Sequence, residues 1–303
     1  TATNPRRPEL YKTISGVDVK KKTNLSAPHT VHCLGSDIIV SMLGDANGNA
    51  PGGFLHLNKD FEIVGRWEKD ITGMNFGYDF WYQPRHNVMV STEWGAPKTF
   101  TPGFNLDDVS NNKYGRHIHF WDFKERKIID SVDLGEDGLI PLEVRFHHNP
   151  DSTNGFVGAA LSSNIFHWQK KSDGKYEVKK IIDVKSIDNK ILPVPMPGLI
   201  TDILVSMDDK YLYFSNWLHG DLRQYDISDP VNPKLTGQVW IGGLLGKADK
   251  VNGRTVNGAP QMIQLSLDGK RLFVTTSLFS SWDNQFYPKM NDSGGMMLIV
   301  DCD

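Results

Sequence analysis

Two segments of this chain match each other at a spacing of 60 residues. Ile203–Lys210 and Ile263–Lys270 both read Ile-x-apolar-Ser-apolar-Asp-x-Lys. Each continues through a turn suited to a tight hairpin into a β-rich run. Self-similarity at a fixed period of this length is typical of repeat architectures. The repeated hairpin therefore limits the possible folds more than any other feature of the chain.

Looser copies of the same hairpin precede these two along the chain. They span His32–Leu43, Tyr82–Trp94 and Phe146–Leu161. A third strand follows each of the five hairpins, and these strands are predicted at Phe54–Leu57, His117–Asp122, Ile165–Trp168, Leu222–Asp226 and Met297–Asp301. The segments between them are rich in Gly, Pro, Asn and Asp, and helical patterns are scarce. A unit of three strands joined by turns thus repeats five times.

Short sheets that recur every ~50–60 residues predict blades around a central channel, because that arrangement leaves only short, protected sheet edges. We therefore predict an all-β fold, a β-propeller with about five blades, in a single domain over residues 1–303. A stacked sandwich or two separate β domains is the alternative. A closed five-bladed ring would require a strand near Leu10–Val19 to complete its last blade.

The innermost strand of each propeller blade lines the channel, so polar residues that open these strands converge in space. The first four openings carry His32, Asp79, Glu143 and Asp202. Converging carboxylates and imidazole can bind a cation or hold shifted pKa values. The alternative for each residue is that it caps a strand end or bonds to the backbone.

Histidines receive separate attention because imidazole is a common ligand for copper and zinc. His29 and His32 are three residues apart, so on a regular strand they point to opposite faces unless a bulge intervenes. His148 directly follows another histidine, and His219 lies in a loop that could fold over the channel mouth. The remaining histidines are interpreted as packing or surface residues: His56, His86, His117, His119 and His167.

Composition and missing motifs exclude several classes of function. The net charge is only -3, which provides no bulk field for nucleic acid or an anionic membrane. The longest apolar runs, such as Met296–Val300, fall far short of the roughly 18 residues that a membrane span needs. Cys33 and Cys302 lack CxxC spacing and fit a reducing compartment such as the cytosol. HExxH, GxSxG, Walker A and helix-opening GxGxxG motifs are all absent from the sequence.

The string Gly77–Trp94 closely resembles one carried by the selenium-binding protein / methanethiol oxidase family. Further matching strings are Gly138–Phe146, His148–Asp151, Gly155–Gly158, Pro197–Ile203, Phe214–Pro230 and Gln261–Arg271. The resemblance covers essentially the whole chain. It implies a seven-bladed propeller of which this chain holds the middle five blades, so that the 1–303 domain is expected to be incomplete at both ends.

The resemblance also implies an activity and a metal. The family oxidises methanethiol with oxygen and water to formaldehyde, hydrogen sulfide and hydrogen peroxide, and its bacterial members are regarded as copper enzymes. The His29-x-x-His32 motif is the part of the family's proposed copper site that falls inside this chain, and His148 and His219 also match family motifs. The cysteine associated with selenium would lie outside the chain, and Cys33 does not replace it.

Formation of formaldehyde requires a base that removes a methyl proton, and Asp79, Glu143 and Asp202 are the candidates by position. The expected partners are therefore a small thiol and O2. Two other functions remain open. One is a platform that binds selenium, thiols or proteins without turnover, because fold alone does not imply catalysis. The other is a calcium-dependent hydrolase that uses the carboxylate ring and leaves the histidine motif without a role.

Overall fold

The computed structural model describes residues 4–302, so both ends of the predicted 1–303 domain lie outside the described residues. Five antiparallel sheets follow one another along the chain, four with four strands and the last with three. Within each sheet the strands are hydrogen-bonded in sequence order. This is the all-β, five-bladed propeller arrangement that the repeated hairpin predicts.

The strand bounds, blade by blade, are as follows. Blade 1 contains β1 (Leu25–Leu34), β2 (Asp37–Asp45), β3 (Gly53–Leu57) and β4 (Ile63–Arg66). Blade 2 contains β5 (Phe80–Gln83), β6 (Val88–Thr92), β7 (His117–Asp122) and β8 (Lys127–Asp133). Blade 3 contains β9 (Pro141–Phe146), β10 (Asn154–Ala159), β11 (Asn164–Lys170) and β12 (Tyr176–Asp183). Blade 4 contains β13 (Ile200–Val205), β14 (Tyr211–Asn216), β15 (Asp221–Asp226) and β16 (Lys234–Trp240), and blade 5 contains β17 (Ile263–Leu265), β18 (Arg271–Thr275) and β19 (Met297–Asp301).

All five predicted third strands are present, whereas the outermost strands of blades 1 to 4 were not predicted. Strand β8 shows why, since its residues alternate between exposed and partly buried and none is fully buried. An outer strand packs little apolar surface, so its sequence resembles that of a polar connection.

The strand near Leu10–Val19 that a closed five-bladed ring would require is absent from the described residues. A helix, α1 (Gly16–Thr23), occupies the second half of this segment, and no strand lies in the described residues before it. The Ser15 side chain accepts a hydrogen bond from the Val17 amide at the helix N-terminus. Lys20, Lys21 and Lys22 form the last turn, where positive charge is favourable. These local signals favour a helix over a strand that would close the ring.

Helices are otherwise short and lie in excursions from the blades. They are α2 (Pro97–Phe100), α3 (Leu106–Ser110), α4 (Ser280–Phe286) and α5 (Met290–Ser293). Across residues 4–302, none of the helices has the length and apolar character that a bilayer span requires.

The hydrophobic core lies mainly between neighbouring blades. Val144 and Phe166 of blade 3 pack with Phe120 of blade 2, and Phe156 packs on the opposite side with Ile203 of blade 4. A further cluster collects where the inner strands begin, and we call it the apolar cap; it contains Tyr78, Trp94, Phe100, Leu142, Leu199, Trp217 and Trp282, among others. The cap joins excursions from several blades over one end of the channel.

Candidate functional site

The first strands of successive blades lie against one another, as the inner strands of a propeller do. Strand β9 contacts both β5 and β13, and β13 contacts β17. Three of the predicted site residues, Asp79, Glu143 and Asp202, lie just before or within these strands and are buried. The structure therefore brings together carboxylates that are about 60 residues apart in the sequence.

Arg145 lies at the centre of these three carboxylates. Its Nη1 is 3.1 Å from Asp79 Oδ2, and its Nη2 is 2.9 Å from Glu143 Oε2. The same Nη2 lies 3.3 Å from Asp202 Oδ1. The guanidinium carbon lies 5.0 Å from the centre of the Trp81 ring, a cation–π contact. We call this group of four charged residues the carboxylate–arginine cluster.

The sequence analysis did not select Arg145, although a signal for it was present. Residues two apart on a strand share a face, so Arg145 had to accompany Glu143. The presence of Arg145 argues against the calcium-dependent hydrolase, because its guanidinium occupies the position among the carboxylates that a metal ion would need.

The carboxylates also join the blades through backbone and hydroxyl hydrogen bonds. Asp79 accepts from the Thr30 hydroxyl at 2.7 Å and from the Val144 amide at 3.0 Å. Asp202 accepts from the Ile263 amide at 2.7 Å. Each aspartate thus binds the inner strand of the next blade, which is the backbone-bonding alternative, while it also contacts Arg145.

Three acids share one guanidinium, and the pKa values of two of them, Glu143 and Asp202, are raised. Burial, followed by the nearby charge of Asp79, raises the pKa of Glu143 well above its usual range despite the opposing effect of Arg145. Burial also raises the pKa of Asp202 to about 7, against the lowering effects of Arg145 and the Ile263 amide. Burial therefore favours the protonated form of Glu143, and Asp202 can exchange a proton near pH 7.

His29 and His32 lie on β1 beside this cluster. In the β1–β2 pairing, Pro28 lies opposite Met42 and Val31 opposite Val40, which leaves one extra residue on β1 between them. This irregularity is the bulge that the spacing of the two histidines required. The His29 ring centre is 4.0 Å from that of Tyr78, and the His32 ring centre is 4.5 Å from that of Trp81. Both imidazoles therefore pack against the start of blade 2.

The environments of the two imidazoles suit metal ligands in part. Loss of solvation lowers the pKa of both His29 and His32, with a smaller raising effect from Asp79, so both are neutral more readily. His29 is exposed to solvent, so a ligand can reach its ring. His32 Nε2 is buried and has no hydrogen-bond partner among residues 4–302.

A neutral imidazole with a free nitrogen has the chemistry of a copper ligand. Within the described chain, no group of three or more His, Cys, Asp or Glu side chains is arranged to hold a metal ion.

The other two predicted metal ligands lie elsewhere and use one nitrogen each for structure. His148 Nε2 is 3.0 Å from the Val205 carbonyl oxygen, next to the hairpin turn of blade 3. His219 is fully buried, and its Nε2 is 3.0 Å from the Met196 carbonyl oxygen. The structure does not bring either residue into a three-ligand group with His29 and His32.

A second buried charge centre was missed by the sequence analysis. Glu93 is fully buried and lies 2.9 Å from His117 Nδ1 and 3.0 Å from His119 Nε2. It also accepts hydrogen bonds from four backbone amides, those of Asn75, Phe76, Arg116 and His117. Burial acts to raise the pKa of Glu93, but the two histidines outweigh it and hold the pKa well below its usual range. The spacing of His117 and His119 on one strand face was the available signal, but no sequence pattern indicated their buried acid.

The fold and site together define a class: a β-propeller whose inner strands carry a buried carboxylate–arginine cluster beside a pair of histidines. Comparison with known proteins identifies the family. The family model described as "56kDa selenium binding protein (SBP56)" matches residues 1–303. The chain therefore belongs to this selenium-binding protein family.

Individual relatives agree with this assignment. The chain is 52% identical to a methanethiol oxidase of Xenopus laevis over 99% of its own length and 68% of the relative. It is 51% identical to selenium-binding protein 1 of Arabidopsis thaliana over 100% of its length and 66% of that protein. A hypothetical selenium-binding protein from Sulfolobus tokodaii has a similar crystal structure, with a TM-score of 0.92, 41% identity, and coverage of 99% of this chain and 68% of that one. The chain thus spans about two thirds of the length of these proteins.

Proposed function

We propose that this chain forms the catalytic propeller of a methanethiol oxidase. The observation that carries the proposal is its 52% identity to proteins named methanethiol oxidase across 99% of its length. The proposed reaction converts methanethiol, O2 and water to formaldehyde, hydrogen sulfide and hydrogen peroxide. Carbon and sulfur are separated, the carbon is oxidised, and O2 takes up two electrons and two protons.

His29 and His32 are the proposed copper ligands contributed by this chain. The chemistry that copper supplies when bound is electron transfer between a soft thiolate sulfur and oxygen. The two imidazoles are held in place by Tyr78 and Trp81, respectively. The Nε2 atom of His32 is buried without a partner among residues 4–302, which supports this role, because an unpartnered polar atom in the interior is otherwise costly.

Asp202 is the proposed base for the methyl proton. Its pKa of about 7 leaves it divided between the acid and the carboxylate near neutral pH, which suits a group that both takes and returns a proton. Burial raises the pKa of Glu143, which favours its protonated form. Asp79 accepts hydrogen bonds from Thr30, Val144 and Arg145, so its role is to position the cluster.

The test measures oxygen uptake, sulfide and peroxide together in copper-loaded protein supplied with methanethiol. We expect the two products to form in equal amounts, with an Asp202→Asn variant slowed ~100-fold or more in kcat, as for loss of a general base. Asp188→Asn is the matched control, because Asp188 is exposed and lies outside the cluster. Wild-type protein that carries copper but forms neither product would refute the oxidase, whereas full activity of Asp202→Asn would refute only the role of Asp202.

The second candidate is a selenium- or thiol-binding platform without turnover. It is favoured by the name of the Arabidopsis relatives, which are called selenium-binding proteins at 50–51% identity. Such a platform would bind thiols without consuming oxygen, so the same measurement distinguishes the two functions. We further propose a cytosolic location, since the sequence contains two cysteines without CxxC spacing. The partners are a small thiol and O2, and the net charge of -3 gives no support for nucleic acid.

A further inference from the structure

A cavity of about 270 Å³ lies in the apolar cap. Its walls come from the segment 104–106 of blade 2, the segment 192–199 that leads into blade 4, and helix α4 of blade 5, together with Leu161, Trp217 and Leu218. None of the four residues of the cluster lines it. The cavity therefore needs an explanation that the oxidase reaction does not provide.

Aromatic rings form one continuous wall of this cavity. The Phe104 ring centre is 5.3 Å from that of Trp282 and 6.2 Å from that of Phe286, and Phe286 is 5.4 Å from Trp217. Aliphatic side chains such as Leu192 complete the lining. Within the described chain, no residue that lines the cavity carries a charge. Such a site favours an uncharged ligand with a flat apolar face.

Hydrogen bonds hold the wall in place before any ligand binds. The Gln285 side chain accepts from the Phe104 amide and donates to the Phe104 carbonyl, both at 2.9 Å. Trp282 Nε1 donates to the Phe100 carbonyl at 2.9 Å, and the Tyr287 hydroxyl donates to the Trp217 carbonyl at 2.6 Å. A pre-organised site loses less conformational entropy on binding than a flexible one.

One polar atom of the lining is left over. Trp217 Nε1 is buried and has no hydrogen-bond partner among residues 4–302. Two polar side chains of the lining already make hydrogen bonds within the protein. Asn105 accepts one from the Asp107 amide, and Gln285 bonds to the amide and carbonyl of Phe104. A ligand whose acceptor atom reaches Trp217 Nε1 would satisfy the indole N–H, whose unpaired burial is unfavourable.

The volume indicates the size of the occupant. An apolar cavity of about 150 Å³ stays dry and binds benzene, so a cavity of about 270 Å³ has room for two fused rings. Leu106 and Val194, both lining residues, are also exposed to solvent, so the cavity has an apolar opening. We propose that the cap cavity is a binding site for a small, uncharged bicyclic aromatic molecule with one hydrogen-bond acceptor. This proposal does not depend on the oxidase activity.

The experiment titrates the purified protein with quinoline by calorimetry. Quinoline is neutral above pH 7, has two fused rings and carries one acceptor nitrogen. The charged analogue quinoline-2-carboxylate serves as the ligand control. We expect quinoline to bind at one site per chain and the anion to bind at least ~10-fold more weakly, because no cation lines the cavity.

A pair of matched variants tests the location. Val194→Trp places an indole at the opening, whereas Val231→Trp makes the same change at a residue of similar exposure, 42% against 40%, which does not line the cavity. We expect Val194→Trp to weaken quinoline binding at least ~10-fold and Val231→Trp to leave it unchanged, with both variants folded by circular dichroism. Absence of quinoline binding to the wild type, equal binding of the anion, or equal loss in the two variants would each overturn the proposal.

Discussion

Arg145 Nη2 lies 3.3 Å from Asp202 Oδ1, although the two residues belong to the inner strands of different blades. The same nitrogen contacts Glu143 on its own strand. One guanidinium thus holds acids from neighbouring blades together in a buried site. Because a buried charge that loses its partner is strongly destabilising, this contact is expected to matter for stability as well as for the site.

Replacement of Arg145 by Met should reduce the free energy of unfolding by about 3–5 kcal/mol at pH 8, the usual cost of removing one partner from a buried ion pair. The loss should be smaller at pH 5, since the abandoned carboxylates then take up protons. Denaturant unfolding measures both values. The matched control is Arg85→Met, whose partner Asp151 is exposed and whose loss should cost at most about 1 kcal/mol. Equal effects of the two variants would contradict the buried cluster.

The pKa of Asp202 predicts a specific pH dependence of stability. Folding raises this pKa from 3.8 to about 7, so between these values the folded protein holds a proton that the unfolded chain releases. The free energy of unfolding should therefore fall as the pH rises from 4 to 7. Asp202→Asn should make this decline shallower by about one proton, measured by urea unfolding across that range. An unchanged slope, equal to that of Asp188→Asn, would show that Asp202 ionises normally.

Replacement of the buried Glu93 in blade 2 should also change the free energy of unfolding. Glu93→Gln places an amide against six donors, so we expect a loss of about 1–3 kcal/mol or more in the free energy of unfolding. Glu136→Gln is the control, since that side chain is 85% exposed and should have little effect.

The pH profile of Glu93→Gln separates an ion pair from simple packing. The hydrogen bond to Glu93 is the main cause that raises the pKa of His117. Its stabilisation is complete below the unfolded pKa near 6.5 and is lost as the pH rises through the folded value. The cost of Glu93→Gln should therefore be larger at pH 6 than at pH 9, and a constant cost would exclude a charged His117.

The proposed copper ligands make a prediction that does not depend on turnover. His29→Ala and His32→Ala should each weaken copper binding roughly tenfold or more, since even supporting residues of metal sites have effects of this size. Metal content by plasma mass spectrometry, after dialysis against a competing chelator, measures the change. His86→Ala is the control, because His86 lies in an exposed turn and bonds to the Pro150 carbonyl. Unchanged copper in both ligand variants would remove them from the site.

The sequence alone determined the blades and most of the carboxylate ring. The hairpins around Asp208 and Asp268 could be recognised because turn residues and alternating apolar residues act over a few neighbouring positions. Asp79, Glu143 and Asp202 could be placed near one another because the repeat puts equivalent residues at equivalent points of each blade. The metal roles of His29 and His32 came from family resemblance and stay predictions.

Only the tertiary structure decided how these residues meet. The position of Arg145 among three acids, the burial of Glu93 between two histidines, and the cavity lined by Phe104 and Trp282 all depend on contacts between distant segments. The Gln285 side chain, for example, bonds to Phe104, 181 residues away. Local patterns select strands and turns, but they do not encode which faces of different blades approach, because that choice depends on packing over the whole ring.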